Sequence, residues 1–305
     1  MEAKLPFIGG HVSAAGGFHK AVENAERIGA TAMQFFGASP RQWFAKIPDQ
    51  AAVDVYQTAL KKSQVKAVYL HAAYLPNLAT GMHESYEKSV KSLSEHLEIV
   101  TKIGANGLIF HMGSFATQQL VQQMIPRGVV PGGGGEMTHD EAIEQTAKGM
   151  KEVLKNVPGD AFLVMENSAG GGGKLGSIVT DLGAIKRLVN DPRVKVCLDT
   201  AHAFESGVFA EKMTPENVQK VLDEWDREIQ LKDLVALHVN DSKTKHNSHS
   251  DRHENLGHGY IGIDGFRALA ADKRLHHAAW MLEVPGFDEN GPDKENVDIL
   301  RGCFV

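Results

Sequence analysis

The chain reads Lys195-Val196-Cys197-Leu198-Asp199-Thr200-Ala201-His202, an apolar run that ends in a carboxylate, with an imidazole three residues further on. The run is short, rich in β-branched residues and bounded by turn formers, which is typical of a buried parallel strand. We therefore expect Asp199 where the strand leaves the sheet and His202 on the loop above it. In parallel α/β proteins, binding and catalytic residues collect at such strand ends.

The same pattern recurs on both sides of this stretch, with apolar runs alternating with segments of helical periodicity. Besides the opening stretch, the predicted strands cover 7–12, 31–36, 65–71, 107–111, 161–166, 234–239 and 278–283. This alternation predicts the α/β class and a (β/α)₈ TIM barrel, whose active site would lie at the C-terminal face of the strands. A barrel of this kind commonly uses about 250 residues or more, so we expect residues 1–305 to form one domain.

The least regular part of the chain lies at about 116–138. Pro126, Pro131 and the four glycines at 132–135 interrupt any helix or strand there. We therefore expect an irregular, Gly/Pro-rich loop over the mouth of the barrel.

Composition is ordinary for a soluble globular chain, at 42% hydrophobic and 23% charged residues. No apolar run is long enough to span a bilayer, and the N-terminus lacks the apolar region of a signal peptide. Cys197 and Cys303 are the two cysteines, which argues against a disulfide framework and for a reducing compartment. We expect a cytoplasmic monomer with no membrane partner.

The formal charge of −6 argues at first against a polyanionic partner. The chain also has 15 histidines, and histidine is the commonest metal ligand in proteins. Three divalent ions would offset the whole formal charge and would place the positive charge at one end of the fold. Net acidity therefore does not exclude nucleic acid if the chain binds metal.

Imidazole and carboxylate side chains end most of the predicted strands or follow them closely. They are His71, His111, Glu166, Asp199, His202, His238, Asp251, His253 and Glu283. These residues are too many for one zinc ion, which takes about four ligands. Several carboxylates brought together would also repel one another unless cations neutralised them. A cluster of two or three metal ions meets both conditions, and such clusters suit in-line displacement at phosphate.

Several longer motifs carry a resemblance that covers most of the chain. They are 9–17 (GGHVSAAGG), 41–43 (RQW), 110–114 (FHMGS), 165–170 (MENSAG), 197–202 (CLDTAH), 238–243 (HVNDSK) and 251–259 (DRHENLGHG). In this order they resemble endonuclease IV, the zinc-dependent apurinic/apyrimidinic (AP) endonucleases of base-excision repair. The segment at about 116–138 looks longer than the family pattern.

The resemblance implies a trinuclear zinc site. The sequence leaves the metal open at some positions, because sites of mixed imidazole and carboxylate ligands also suit Mn²⁺. The implied ligands are His71, His111 and Glu166 for one ion; Glu166, Asp199, His238 and Glu283 for the next; and His202, Asp251 and His253 for the third. Glu166 and Glu283 would be the catalytic carboxylates.

The resemblance also implies a DNA-repair hydrolase that cleaves the backbone 5′ to abasic sites in duplex DNA. The products would be a 3′-hydroxyl and a 5′-deoxyribose phosphate, and blocked 3′ ends would be further substrates. Arg41, Tyr74 and Leu75 occupy the positions from which the family inserts side chains into DNA.

Two other functions fit parts of the sequence. A sugar isomerase or epimerase of the same barrel type would need only Glu166, Asp199, His238 and Glu283 around one divalent ion, and would leave the other candidate ligands without work. A non-catalytic protein that binds damaged DNA would not need intact metal ligands. Counting metal ions separates the first alternative from the nuclease: about one ion per chain favours the isomerase and about three the nuclease.

Overall fold

The computed structural model describes residues 5–115 and 137–304. The irregular loop predicted at about 116–138 thus lies almost wholly outside the described residues, and its form stays a prediction. Within the two described ranges, no helix combines the length and the apolar character needed to cross a bilayer.

Eight strands form a closed barrel in which every neighbouring pair is parallel. They are β1 (Ile8–His11), β2 (Ala32–Phe36), β3 (Ala67–His71), β4 (Gly107–His111), β5 (Phe162–Glu166), β6 (Val194–Asp199), β7 (Leu234–His238) and, after a short hairpin described below, β10 (Ala279–Leu282). Around the barrel the order is β1-β10-β7-β6-β5-β4-β3-β2. The predicted (β/α)₈ barrel is therefore confirmed, with strand bounds within a few residues of those predicted.

Helices cover the outside of the sheet. In the described ranges they are α1 (Phe18–Arg27), α2 (Gln50–Lys62), α3 (His83–Ile103), α4 (His139–Asn156), α5 (Val179–Val189), α6 (Thr200–Glu205), α7 (Pro215–Ile229), α8 (Gly262–Ala270) and α9 (Lys294–Arg301). Local sequence sets many of their ends. Thr138 and Glu141 form a reciprocal capping box at the start of α4, and Gly104 ends α3 in the left-handed conformation (φ 72°).

Apolar residues form two layers of core. The larger one lies between the strands and the helices, and a smaller one fills the interior of the barrel. The interior residues include Tyr69, Ile109, Val164 and Met281, so the barrel is a packed core below the strand ends. This packing leaves the C-terminal end of the strands as the place for polar chemistry.

Two small elements above this end differ from the prediction. Thr200–Glu205 is a short buried helix (α6), so His202 lies on a helix and not on a loop. Asp199 caps that helix by accepting a hydrogen bond from the His202 backbone N–H at 2.8 Å. The polar segment after β7 also contains an antiparallel hairpin of β8 (Asp241–Ser242) and β9 (His253–Glu254).

Candidate metal centre

The structure brings the predicted ligands together at one end of the barrel. His71, His111, Glu166, Asp199 and His238 are each the last residue of a strand, and Glu283 follows the last residue of β10. His111 is in register with Glu166, and Asp199 is in register with His238. Strand register thus fixes which side chains become neighbours.

Three overlapping groups of side chains have donor atoms within 4.8 Å of one another. They are His71, His111 and Glu166; Glu166, Asp199, His238 and Glu283; and Asp199, His202 and His253. The first two have the composition expected from the sequence. The third contains Asp199 where we expected Asp251. Asp251 stands nearer the solvent, with its Oδ1 3.3 Å from His202 Nε2 and 3.9 Å from His253 Nε2.

Glu166 lies between two groups of imidazoles. Its Oε2 is 3.1 Å from His71 Nε2 and 3.6 Å from His111 Nε2. Its Oε1 is 2.9 Å from His238 Nδ1 and 3.4 Å from His202 Nδ1. The carboxylate is buried. Each oxygen therefore faces a different set of nitrogens, which is the arrangement a carboxylate needs to bridge two metal ions.

Three of the imidazoles have one nitrogen hydrogen-bonded to an oxygen acceptor. His71 Nδ1 lies 2.8 Å from the Ala72 carbonyl, His202 Nδ1 lies 3.0 Å from the Asn167 carbonyl, and His238 Nε2 lies 2.8 Å from Gln34 Oε1. Because these oxygens only accept, each of these nitrogens carries the proton. In the neutral ring the other nitrogen then presents a lone pair to the carboxylates, as metal-binding histidines do.

A lone pair that faces a carboxylate oxygen at about 3 Å needs a cation between the two. Without metal that cation is a proton. Burial lowers the pKa of His202, but the charges of Asp199, Asp251 and Glu166 outweigh it and raise the pKa to about 10. Neighbouring carboxylates likewise outweigh burial at His71 and raise its pKa.

Two buried nitrogens support the same interpretation. His202 Nε2 and His253 Nε2 are two of six buried side-chain polar atoms in the described residues that have no hydrogen-bond partner. Buried polar atoms of this kind are rare in folded proteins and call for a ligand, an ion or a water. Both lie near carboxylate oxygens: His202 Nε2 is 3.3 Å from Asp251 Oδ1, and His253 Nε2 is 3.5 Å from Asp199 Oδ2. The residues present therefore fit a cluster of divalent metal ions, although their role as ligands stays a prediction.

Sequence reasoning missed the polar residues that hold these side chains in place. Asn167 binds the backbone of Asp199 on both sides, donating to its carbonyl and accepting from its N–H. Asn240 donates to Asp199 Oδ2 at 2.7 Å and accepts from the Glu283 backbone N–H at 2.7 Å. Each follows a candidate ligand closely in the sequence, and that adjacency was the available signal. Gln34, inside β2, gave no such signal.

The three predicted DNA-contacting residues lie beside a cavity of about 950 Å³ or on the neighbouring loop. Tyr74 lines this cavity together with His71, His111 and His202. Tyr74 is 66% exposed, Leu75 is 36% exposed and Arg41 is also exposed. The Tyr74 backbone N–H donates to the Pro40 carbonyl at 3.1 Å, which holds the Arg41 loop against the Tyr74 loop. Their contact with DNA stays a prediction.

Comparison with known proteins identifies related families and structures. The family profile described as xylose isomerase-like TIM barrel matches residues 22–303. A protein of Halorhodospira halophila named probable endonuclease 4 is 36% identical over 304 residues, covering 98% of this chain and 94% of that protein. The crystal structure of endonuclease IV from Thermus thermophilus has a TM-score of 0.79 at 31% identity, with 98% of each chain covered.

The fold is shared more widely than the family. An E. coli 3-keto-D-glucoside 4-epimerase covers 98% of this chain with a TM-score of 0.66, but at 12% identity this likeness concerns the fold alone. The resemblance inferred from the sequence motifs is confirmed by the relatives above 30% identity. The chain belongs to the endonuclease IV family of nucleases, within the xylose isomerase-like TIM barrels.

Proposed function

We propose that this chain is a DNA-repair endonuclease that hydrolyses the phosphodiester bond 5′ to abasic sites in duplex DNA. The products are a 3′-hydroxyl and a 5′-deoxyribose phosphate, and the same site removes blocking groups from 3′ ends. Three zinc ions form the active centre, with Mn²⁺ able to replace zinc where imidazole and carboxylate ligands are mixed.

One observation carries this proposal: the orientation of the imidazole rings. His71, His202 and His238 each direct one nitrogen at an acceptor outside the cluster and the other at carboxylates within it. A sugar isomerase with one ion would use Glu166, Asp199, His238 and Glu283 alone. It would leave His202 Nε2 and His253 Nε2 buried without a partner. A cluster of several ions gives all of these atoms a ligand role.

The ligand sets follow the three groups of side chains. For the first two ions these are His71, His111 and Glu166, and Glu166, Asp199, His238 and Glu283. For the third ion the proposal keeps His202, His253 and Asp251, although the third group in the structure contains Asp199 in place of Asp251. When bound, the ions supply positive charge against the phosphate and make water easier to ionise at neutral pH.

The two catalytic carboxylates have different surroundings. Glu166 is buried and contacts imidazoles through both oxygens. It therefore holds the imidazoles on its two sides at a fixed distance from each other. Glu283 lines the cavity, and its Oε1 is held by Gln34 Nε2 at 2.6 Å. Glu283 is therefore placed to accept a hydrogen bond from the attacking water and to orient it toward phosphorus.

Arg41, Tyr74 and Leu75 open the duplex at the lesion. A cation, an exposed aromatic ring and an aliphatic side chain on adjacent loops fit this task, because wedges inserted into DNA are commonly apolar and are steered by basic residues. An abasic nucleotide has no base to unstack, so turning it out of the helix costs less free energy than turning out a normal nucleotide.

We further propose that the protein acts as a monomer in the cytoplasm. Both cysteines are free and buried, which fits a reducing compartment where no disulfide is needed. Size-exclusion chromatography coupled to light scattering measures the mass in solution.

The test is incision of a 5′-labelled duplex that carries one abasic site, using zinc-loaded protein whose metal content is measured by elemental analysis. We expect about three zinc ions per chain and a labelled product whose 3′ end a DNA polymerase extends. Glu166→Gln should lower the rate by at least about 100-fold, because it removes a charge shared by two ligand sets. The matched control is Glu98→Gln, an exposed glutamate on α3.

Two results would reject the proposal. One is the absence of incision by protein that carries three zinc ions. The other is a metal content of one ion per chain together with turnover of a sugar substrate, which would favour the isomerase.

A further inference from the structure

Gln34 lies at the centre of a network that joins three side chains from other strands. It sits on β2, where it is fully buried. Its amide contacts His238 at the end of β7, Glu283 after β10 and His11 at the end of β1. Two of these neighbours belong to the proposed ligand set of the second ion.

The chemistry of the neighbours fixes how the amide is oriented. Gln34 Nε2 lies 2.6 Å from Glu283 Oε1, and an ionised carboxylate oxygen only accepts hydrogen bonds. The amide nitrogen must therefore face Glu283, which leaves Gln34 Oε1 as the atom 2.8 Å from His238 Nε2. Since an amide oxygen only accepts, His238 Nε2 must carry a proton.

The position of this proton has a direct consequence for the cluster. With Nε2 protonated, the neutral His238 ring has its lone pair on Nδ1. This atom lies 2.9 Å from Glu166 Oε1 and 3.4 Å from Glu283 Oε2. The free nitrogen of His238 thus faces the ligand oxygens, and the opposite tautomer would direct its N–H at the place where the ion has to bind.

The second hydrogen of the Gln34 amide is donated to His11. Gln34 Nε2 lies 2.9 Å from His11 Nδ1, and because an amide nitrogen cannot accept, that Nδ1 carries the lone pair. In the neutral ring the proton of His11 is then on Nε2. His11 also lines the cavity. Both hydrogens and the oxygen of the Gln34 amide thus have a partner in the network.

We infer that Gln34 is the positioning residue of the second metal site, setting the tautomer of His238 and the orientation of Glu283 so that both present lone pairs to the ion. This inference rests on the proposed metal centre. Partners of metal-binding histidines that fix the tautomer typically change metal affinity by about 10- to 100-fold when they are replaced.

The experiment compares wild type with Gln34→Met, which keeps the length of the side chain but neither donates nor accepts a hydrogen bond. Zinc is titrated in competition with a chelator, so that the affinity of each ion is measured. We expect one ion to bind about 10- to 100-fold more weakly and the other two to keep their affinity. The control is Gln145→Met, which removes a half-buried glutamine amide that binds the backbone of residues 78 and 80.

A second measurement does not depend on bound metal. In ¹⁵N-histidine NMR spectra, wild type should give a hydrogen-bonded Nε2–H signal for His238, assigned with His238→Gln, and Gln34→Met should shift or lose it. Gln34→Leu is the alternative variant if Gln34→Met does not fold by circular dichroism.

The outcomes distinguish a failure of the proposed trinuclear centre from a failure of the role inferred for Gln34. Fewer than three ions in wild type would reject the proposed trinuclear centre, while the His238 signal would still test Gln34. Three ions in wild type with unchanged zinc affinities in the folded Gln34 variant would reject the inference and leave the proposed function standing. An unchanged His238 signal in that variant would reject it as well.

Discussion

Asp241 illustrates how one buried carboxylate organises a loop next to the candidate site. Its two oxygens accept hydrogen bonds from the backbone N–H groups of residues 242, 257, 259, 261 and 262. No side-chain cation takes part in these contacts. The segment after β9 is therefore folded around a single carboxylate next to the hairpin that carries His253.

Glu205 is a second buried carboxylate, at the end of α6. Its Oε1 accepts hydrogen bonds from Ser242 Oγ, Thr244 Oγ1 and the Arg252 backbone N–H, at 2.7, 3.1 and 3.3 Å. Among the described residues, its Oε2 is buried without a partner. Burial raises the pKa of Glu205 above its ordinary value, so ionisation is less favourable in the folded protein than in the unfolded chain.

We predict that Glu205→Gln makes stability less dependent on pH. Because the folded pKa is raised, wild type binds this proton more tightly when folded, and it loses stability as the pH rises from about 4.5 through the raised pKa. The variant does not titrate, so its free energy of unfolding should rise relative to that of wild type between pH 4 and pH 8. Urea unfolding at pH 4 and pH 8 measures the free energies of unfolding of wild type and Glu205→Gln.

The control for this prediction is Glu98→Gln, which changes an exposed glutamate. Its free energy of unfolding should differ little from that of wild type at both values of pH. A difference between wild type and Glu205→Gln that stays constant from pH 4 to pH 8 would contradict the prediction.

At the scale of elements, α6 and the β8–β9 hairpin together position the outer part of the site. The backbone N–H groups of Asn247 and His249 donate to the carbonyls of Phe204 and Glu205 at the end of α6, at 3.1 and 2.9 Å. The connection between β8 and β9 therefore rests on the helix that carries His202. This contact explains how Asp251, on a polar segment, comes within 3.3 Å of His202.

The contact between β1 and β2 depends on a glycine. A Cβ atom at Gly9 would lie 1.7 Å from the Ala32 carbonyl oxygen, which belongs to the backbone of the neighbouring strand. We predict that Gly9→Ala forces the two strands apart and lowers the free energy of unfolding by about 3 kcal/mol or more, the upper range for overpacking. Gly302→Ala is the matched control, since a Cβ there meets nothing within 4 Å and the backbone is helical (φ −65°).

Chemical denaturation of the two variants tests this prediction. The control should equal wild type or exceed it by up to about 1 kcal/mol, because alanine restricts the unfolded chain. A Gly9→Ala protein as stable as Gly302→Ala would show that the barrel adjusts at this position, and it would overturn the prediction.

For the whole molecule, the sequence determines the barrel well because length and apolar character identify a buried strand without any tertiary information. The run before Asp199 was recognisable for this reason, as were the runs that end in His71 and Glu166. Helix α6 was missed because six residues are too few for helical periodicity to be visible. The β8–β9 hairpin was missed because its two-residue strands lie in a polar segment and pair across ten residues.

The sequence predicts which residue types meet at the strand ends, but not their individual contacts. Strand ends identify the ligand types, because all parallel strands end on one face. Which acid lies nearest His253 depends on three-dimensional packing: His253 Nε2 is 3.5 Å from Asp199 Oδ2 and 3.9 Å from Asp251 Oδ1. Gln34 could not be recognised, because one polar residue within an apolar run looks the same whether it fills a core or orients a ligand.

The proposed metal ions should stabilise the whole barrel, because strands β3 to β7 and the residue after β10 all contribute to one cluster of carboxylates and imidazoles. An ion at 100 times its dissociation constant adds about 2.7 kcal/mol to the free energy of unfolding. We predict that chelation lowers the melting temperature in scanning calorimetry by several degrees and that zinc restores it. Glu166→Gln should lose most of this response, whereas Glu98→Gln should keep it. Identical melting curves for zinc-loaded and chelated wild type would rule out a structural contribution of the ions, since binding to the folded state alone must raise its stability.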